Sequence, residues 1–214
     1  MNSEAIKKRI GIWTLICGIL NVVFYLLHDI IGAMNYPGYD RMSQAVSDLT
    51  ATDAPSREIA GAFTSVHGLF SIVTCALLCI IIIDERKILR IGAYLFATMH
   101  SISAIGYKFF PLSSSGYDGS FPSFMHTYVI TALVVTLSIA SLIVISIGAF
   151  KDHRKGLAIG ALIALACMFL GPVGISAMPK EVFGVFERFS TYSAVIFTCV
   201  MGVYAHFRFV KQKG

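Results

Sequence analysis

Long apolar runs alternate with short polar clusters along the whole 214-residue chain. Six runs carry the pattern: Ile10–Ile31, Ile59–Ile83, Ile88–Phe110, Phe124–Phe150, Gly156–Met178 and Phe189–Phe209. Each is long enough to cross a hydrocarbon core of about 30 Å, which takes roughly 20 helical residues. None shows the alternation of a barrel strand, and a helix in lipid pairs its own backbone donors and acceptors. The pattern predicts an all-α, polytopic six-helix membrane bundle forming a single domain over residues 1–214. No small-residue cleavage pattern follows the first run, so it reads as a retained helix rather than a signal peptide.

The connections differ in kind. Asp84–Lys87 and Lys151–Lys155 are tight charged turns, which makes helices two and three, and four and five, antiparallel neighbours. On the other side the stretch Gly32–Glu58 is the longest non-spanning segment, and connections of that length usually carry function or structure of their own. It opens on Asn35-Tyr36-Pro37-Gly38-Tyr39-Asp40, a Pro-Gly turn between tyrosines suited to a membrane interface. Met42, Ala45, Val46 and Leu49 then recur at i, i+3, i+4, i+7, which predicts a short amphipathic helix in the headgroup layer. Pro55 sits where a first-turn proline starts the second span. The second connection on this side, Pro111–Ser123, is rich in Ser and Gly. In the fifth run Gly156 and Gly160 have the GxxxG spacing for close helix packing, within the chain rather than between chains.

Charge orients the pattern. Of 17 Lys and Arg residues, 12 fall in four clusters: Lys7, Lys8 and Arg9; Arg86, Lys87 and Arg90; Lys151, Arg154 and Lys155; Arg208, Lys211 and Lys213. With six spans, all four lie on one side, and by the positive-inside rule that side is cytoplasmic, with both termini inside a cell membrane. Counting acids, that side carries +8 and the outer side −3, which together make the net +5. The basic clusters therefore read as topology signals and anionic-lipid anchors, and a nucleic-acid partner is excluded. Cys17, Cys75, Cys79, Cys167 and Cys199 all fall within apolar runs, as small buried thiols do.

Candidate chemistry collects on the outer side. His28, His67, His100 and His126 occupy the outer half or the middle of spans, where polar groups usually face the bundle interior or a wet cavity. Imidazoles with a neighbouring carboxylate such as Asp29 suit zinc, yet no HxxxH or HExxH pair fixes two ligands on one helix. Ser47-Asp48-Leu49 with Asp53, Ser56, Arg57 and Glu58 could hold a lipid headgroup or could equally cap its own loop. Lys108, Glu187 and Arg188 end two other spans at the same face, where long charged side chains snorkel or pair. Ser65 and Ser71 flank His67, and Ser101 and Ser103 flank His100; hydroxyls beside a base are the raw material of a nucleophile, though membrane helices often spend them on backbone carbonyls.

Tyr36-Pro37-Gly38-Tyr39, Ser47-Asp48-Leu49 followed by Ala54-Pro55, Phe110-Pro111-Leu112, His126 and Glu187-Arg188 resemble a prokaryotic family of six-helix membrane proteins of unknown function, of DUF998 type. The Ser47–Pro55 element is more loosely similar to Frag/DRAM-type six-helix proteins, which are associated with membrane lipid organisation. The resemblance implies the six-span order and brings no established activity. The chain departs from the seven-helix membrane metal hydrolases, whose last helix needs a paired-histidine motif where only His206 stands here.

The reading best supported by the sequence is an integral membrane protein that binds a lipid headgroup or small amphiphile in an outward-facing polar pocket. Its walls would be His67, His100, His126, Asp48, Arg57, Lys108, Glu187 and Arg188, with membrane lipid as the partner. One alternative is a membrane-embedded metal-dependent lipid hydrolase or transferase, with zinc on His67, His100 and His126. Another is a transporter of lipid or a small molecule, though the scarcity of ionisable groups in the inner halves of the spans argues against ion movement. A purely structural or partner-binding role is the default.

Overall fold

The computed structural model describes residues 3–211, and all regular structure among them is helical. Lys213, assigned above to the last basic cluster, lies outside the described residues. Six helices are long and apolar enough to cross a membrane: Glu4–Met34, Arg57–Asp84, Lys87–Phe109, Phe121–Lys151, Lys155–Ala177 and Lys180–Lys211. They are called the first to sixth helices below. Four of them contain an apolar run whole, and the third and fifth stop one residue short of the runs' ends at Phe110 and Met178.

Consecutive helices pack side by side, and the sixth returns against the first, so the bundle is a closed ring in which the second and sixth also touch. Small residues set the closest approaches. A Cβ on Gly92 would lie 2.8 Å from the Ile145 backbone nitrogen, and one on Gly148 would lie 2.9 Å from that of Leu89. Without hydrophobic force between helices in lipid, such backbone proximity is the main source of packing energy. The GxxxG expectation holds in part: Gly160 faces Val200 of the sixth helix, whereas Gly156 has nothing near it. The tighter seam is further along, where Gly171 and Gly174 meet Ser190 and Phe186. There Pro172 lacks the N–H that would bond the carbonyl four residues back. Ser190 of the sixth helix donates to that carbonyl, Met168 O, at 3.0 Å.

The largest apolar core, including Leu78, Ile81, Leu89, Phe96, Leu142, Ile145, Phe197 and Met201, fills the ring toward the end that carries the basic clusters. This is called the basic end. A second, smaller core of Tyr25, Val46, Leu49, Ala60 and Val195 lies at the other end, beneath the long first connection. That connection does not form the amphipathic helix expected over Arg41–Leu49. Only Val46–Thr50 is helical, as a 3₁₀ turn. Met42 is exposed, but Ala45, Val46 and Leu49 are buried in the protein rather than laid into headgroups. The cause is competition for carbonyls. Arg188 takes Arg41 O and Gln44 O, and Tyr39 takes Ala45 O, so the acceptors an α-helix would need are already bonded.

Candidate functional site

At the end opposite the basic clusters, the first connection folds over the ring as a cap, fastened to one buried carboxylate. Asp29, one turn before the end of the first helix, has a fully buried side chain. Its Oδ1 accepts from Arg188 Nη2 at 2.9 Å. Its Oδ2 accepts from Arg41 Nη2 at 2.7 Å, Tyr192 Oη at 2.6 Å and Arg188 Nε at 3.2 Å. Arg188 thus grips the carboxylate with two nitrogens of one guanidinium edge, the bidentate geometry that makes arginine–carboxylate pairs strong. Its remaining nitrogen, Nη1, donates to Arg41 O, Gln44 O and Gly184 O at 2.8, 3.1 and 3.0 Å. Nη2 also donates to Tyr39 Oη at 2.8 Å, and Tyr39 donates onward to Ala45 O at 2.6 Å. Burial raises the Tyr39 phenol well above its ordinary pKa, with Arg188 opposing, so it stays a donor.

The neighbouring residues complete the cap. Glu187 Oε2 accepts the Val46 N–H at 3.2 Å. Asp48 reaches back to the Ala45 N–H at 3.2 Å, in the manner of a capping box, and accepts from Ser115 Oγ at 2.8 Å and Gly116 N at 3.1 Å. The first and second connections are thereby sewn together. Thr52 adds to the seam, donating to Leu112 O from both its backbone nitrogen and its hydroxyl. Gly184 donates to Met42 O at 2.7 Å, and a Cβ there would stand 2.2 Å from Gln44 O. Only glycine admits the cap backbone so near the sixth helix.

Outside the spans, two exposed carboxylates trim the loops. The Ser43 hydroxyl, first, and the Met42 N–H hold Asp40 below the usual carboxylate range. The Ser120 N–H, first, brings Asp118 down to about 2.

The eight residues read as pocket walls separate into three places. Asp48, Glu187 and Arg188 do come together, but their polar atoms are taken by the cap itself. Arg57 and Lys108 are exposed at the rim of the seam. Arg57 makes one long bond, Nη1 to Thr52 O at 3.4 Å, and Lys108 makes no hydrogen bond or ion pair among the described residues. The histidines are bound singly. His67 Nδ1 meets Asn21 O at 3.1 Å and His126 Nδ1 meets Phe110 O at 2.9 Å.

His100 is engaged at both ring nitrogens. Thr198 donates to Ala194 O, which leaves its oxygen to accept from His100 Nε2 at 2.9 Å; Nδ1 then accepts from Ser71 Oγ at 2.6 Å. This serine–histidine contact has the reach of a nucleophile and its base. Yet Ser71 is 1% and His100 4% exposed. The pair ties the second, third and sixth helices at the ring centre and is sealed from either face. Nor do the histidines form the zinc set: among the described residues no three His, Cys, Asp or Glu side chains are grouped to hold a metal ion.

Asp29, Arg41, Tyr39, Tyr192 and Gly184 were not among the expected site residues. One signal could have found the hub: Asp29 is the only acid within any of the six apolar runs. An ionisable group at such a position is expected to have a dedicated partner.

Six spanning helices sealed at one end by a polar cap make this a multi-pass integral membrane protein. Its family follows from comparison with known sequences. The family described as "Protein of unknown function (DUF998)" matches residues 16–204, nearly the whole chain, and the protein belongs to it. No curated protein and no solved structure matches.

Proposed function

We propose that the protein binds an amphiphile with an anionic or zwitterionic headgroup at the rim of its cap, in the outer half of a cell membrane. The positive-inside rule supports the orientation, with both termini and all four basic clusters cytoplasmic. The observation that carries the reading is a division of labour among the polar groups. The charged side chains under the cap are engaged by one another or by the cap's own backbone and hydroxyls, while Arg57 and Lys108 border the seam with little or no engagement. Beside Lys108 lies an aromatic surface: Phe109 is 76%, Phe121 67% and Tyr128 54% exposed. Tyr117 and Tyr128 stack edge to face on it, with ring centroids 5.2 Å apart. Aromatic side chains of this kind sit at the headgroup level of a bilayer. The headgroup would lie on Arg57 and Lys108 and the chain along the aromatic surface, so the proposed site is an open rim where the sequence led us to expect an outward-facing polar pocket.

Mass spectrometry of lipid retained by the purified protein tests this. Losing a charge-assisted contact should lower anionic-lipid retention about tenfold in an Arg57→Ala/Lys108→Ala double variant. Unchanged retention in a folded double variant refutes the reading.

A further inference from the structure

The basic end holds more than anchoring charges. An open depression of about 590 Å³ lies between the two tight turns, lined by Glu85 and Arg86 on one side and Lys151, Asp152, His153 and Arg154 on the other. Its walls are fixed. Arg86 pairs with Asp152 across the two turns, and Arg208 holds Glu85 at 2.7 Å. Just past the end of the fourth helix His153 has φ 56°, the only non-glycine residue with positive φ among those described. A side chain in that left-handed conformation is uncommon. It lets Arg154 N reach back to Ala149 O at 2.8 Å, so that Asp152, His153 and Arg154 fan around the depression.

Its polar groups are not balanced. With Arg86 and Glu85 paired, Lys151 and Arg154 remain without an ion pair among the described residues. Seven buried side-chain polar atoms lack a hydrogen-bond partner, and five of them belong to this end: Arg90 Nε, Asp152 Oδ2, Arg154 Nε, Tyr204 Oη and His206 Nδ1. Two of them, Asp152 Oδ2 and Arg154 Nε, belong to residues that line the depression. A buried polar atom without a partner costs about 1–3 kcal/mol, so a cluster of them marks a place where something is to be bound. The lining comprises a guanidinium and a free ammonium beside one carboxylate. It calls for an oxyanion that also brings a hydroxyl: the oxyanion for Arg154 and Lys151, the hydroxyl for Asp152.

We infer that this depression is a binding site for a phosphate group bearing or adjoining a hydroxyl, a chemistry shared by soluble phosphates and by the glycerol headgroup of an anionic phospholipid. The site is independent of the cap rim, which lies at the other end of the bundle. It also differs from a diffuse polybasic anchor, in which any lysine or arginine at that end contributes alike.

That difference sets the test. Thermal stabilisation of the purified protein is titrated with inorganic phosphate against chloride at equal ionic strength. In parallel it is compared in nanodiscs of phosphatidylcholine alone and with phosphatidylglycerol added. Stabilisation by phosphate, by phosphatidylglycerol or by both is expected, and which probe acts identifies the source. Arg154→Gln should weaken the effect at least about tenfold, as loss of a charge-assisted contact does. Lys155→Gln, which removes the same charge from a residue outside the depression, should leave it intact. Lys151→Gln takes the place of Arg154→Gln should the latter not fold. Neither probe stabilising the wild-type protein, or Lys155→Gln weakening the effect as much as Arg154→Gln, overturns the inference.

Discussion

Replacing Asp29 by Asn should unlatch the cap without dismantling the bundle. The carboxylate receives four hydrogen bonds from Arg188, Arg41 and Tyr192. Asparagine keeps the shape but turns an amide NH₂ toward groups that are themselves donors, and it leaves two guanidinium groups without their counter-charge. Breaking a buried pair by deleting one partner costs about 3–5 kcal/mol. The Arg41 side chain is 46% exposed, against 12% for Arg188, so its share is discounted for solvent screening. The lower value of about 3 kcal/mol applies, a factor of roughly 100 in the equilibrium for opening the cap. The main core lies toward the other end of the ring, so global stability should fall by less.

The assay is the rate of maleimide labelling at a reporter cysteine, Ala45→Cys, a position buried in the cap at 8% exposure. The parent protein, whose five cysteines lie within spans, gives the background. Labelling should accelerate about 100-fold in Asp29→Asn, and about tenfold in Tyr192→Phe, which deletes one hydrogen bond to a charged acceptor. Equal reporter rates with and without Asp29→Asn would refute Asp29 as the latch.

Gly184→Ala should reproduce the unlatched state by steric means, because the new methyl meets Gln44 O and Arg41 O at 2.2 and 2.6 Å; protease sensitivity confined to residues 35–56 is the readout. Ser71→Ala should lower stability by about 1–3 kcal/mol through leaving His100 Nδ1 unpaired in an apolar centre, measured as a fall in thermal midpoint with the cap still protected. Acid should loosen the second connection only at low pH: Asp118 has its pKa lowered to about 2, so its stabilisation is complete above the unfolded value of about 3.9 and is lost as pH falls through about 2. Hydrogen exchange at Ser120 should therefore be flat from pH 7 to 5, after correction for intrinsic rates, and rise only below about pH 4; a rise nearer neutrality contradicts the assignment.

Spans, their number and their order were legible in the sequence because a bilayer imposes a length and a polarity that a linear pattern can display. The single acid within a run, Asp29, and the adjacent charges Glu187 and Arg188 at the start of the last span were legible as costs requiring partners. Who those partners are was not. Arg188 bonds Asp29 across 159 positions of chain and Asp48 bonds Gly116 across 68, and no local periodicity encodes such distances. The same limit explains the helix expected over Arg41–Leu49: its apolar spacing is real, but the backbone acceptors were claimed by a residue from the far end of the chain. It also explains the histidines, whose depths suggested convergence while each found a nearer carbonyl or hydroxyl. The sequence alone determined a six-span membrane protein with its charge sorted to one side. The tertiary structure decided which polar groups neutralise one another at the capped end and which stand unpaired at the rim and the basic end, because hydrogen bonds form between neighbours in space.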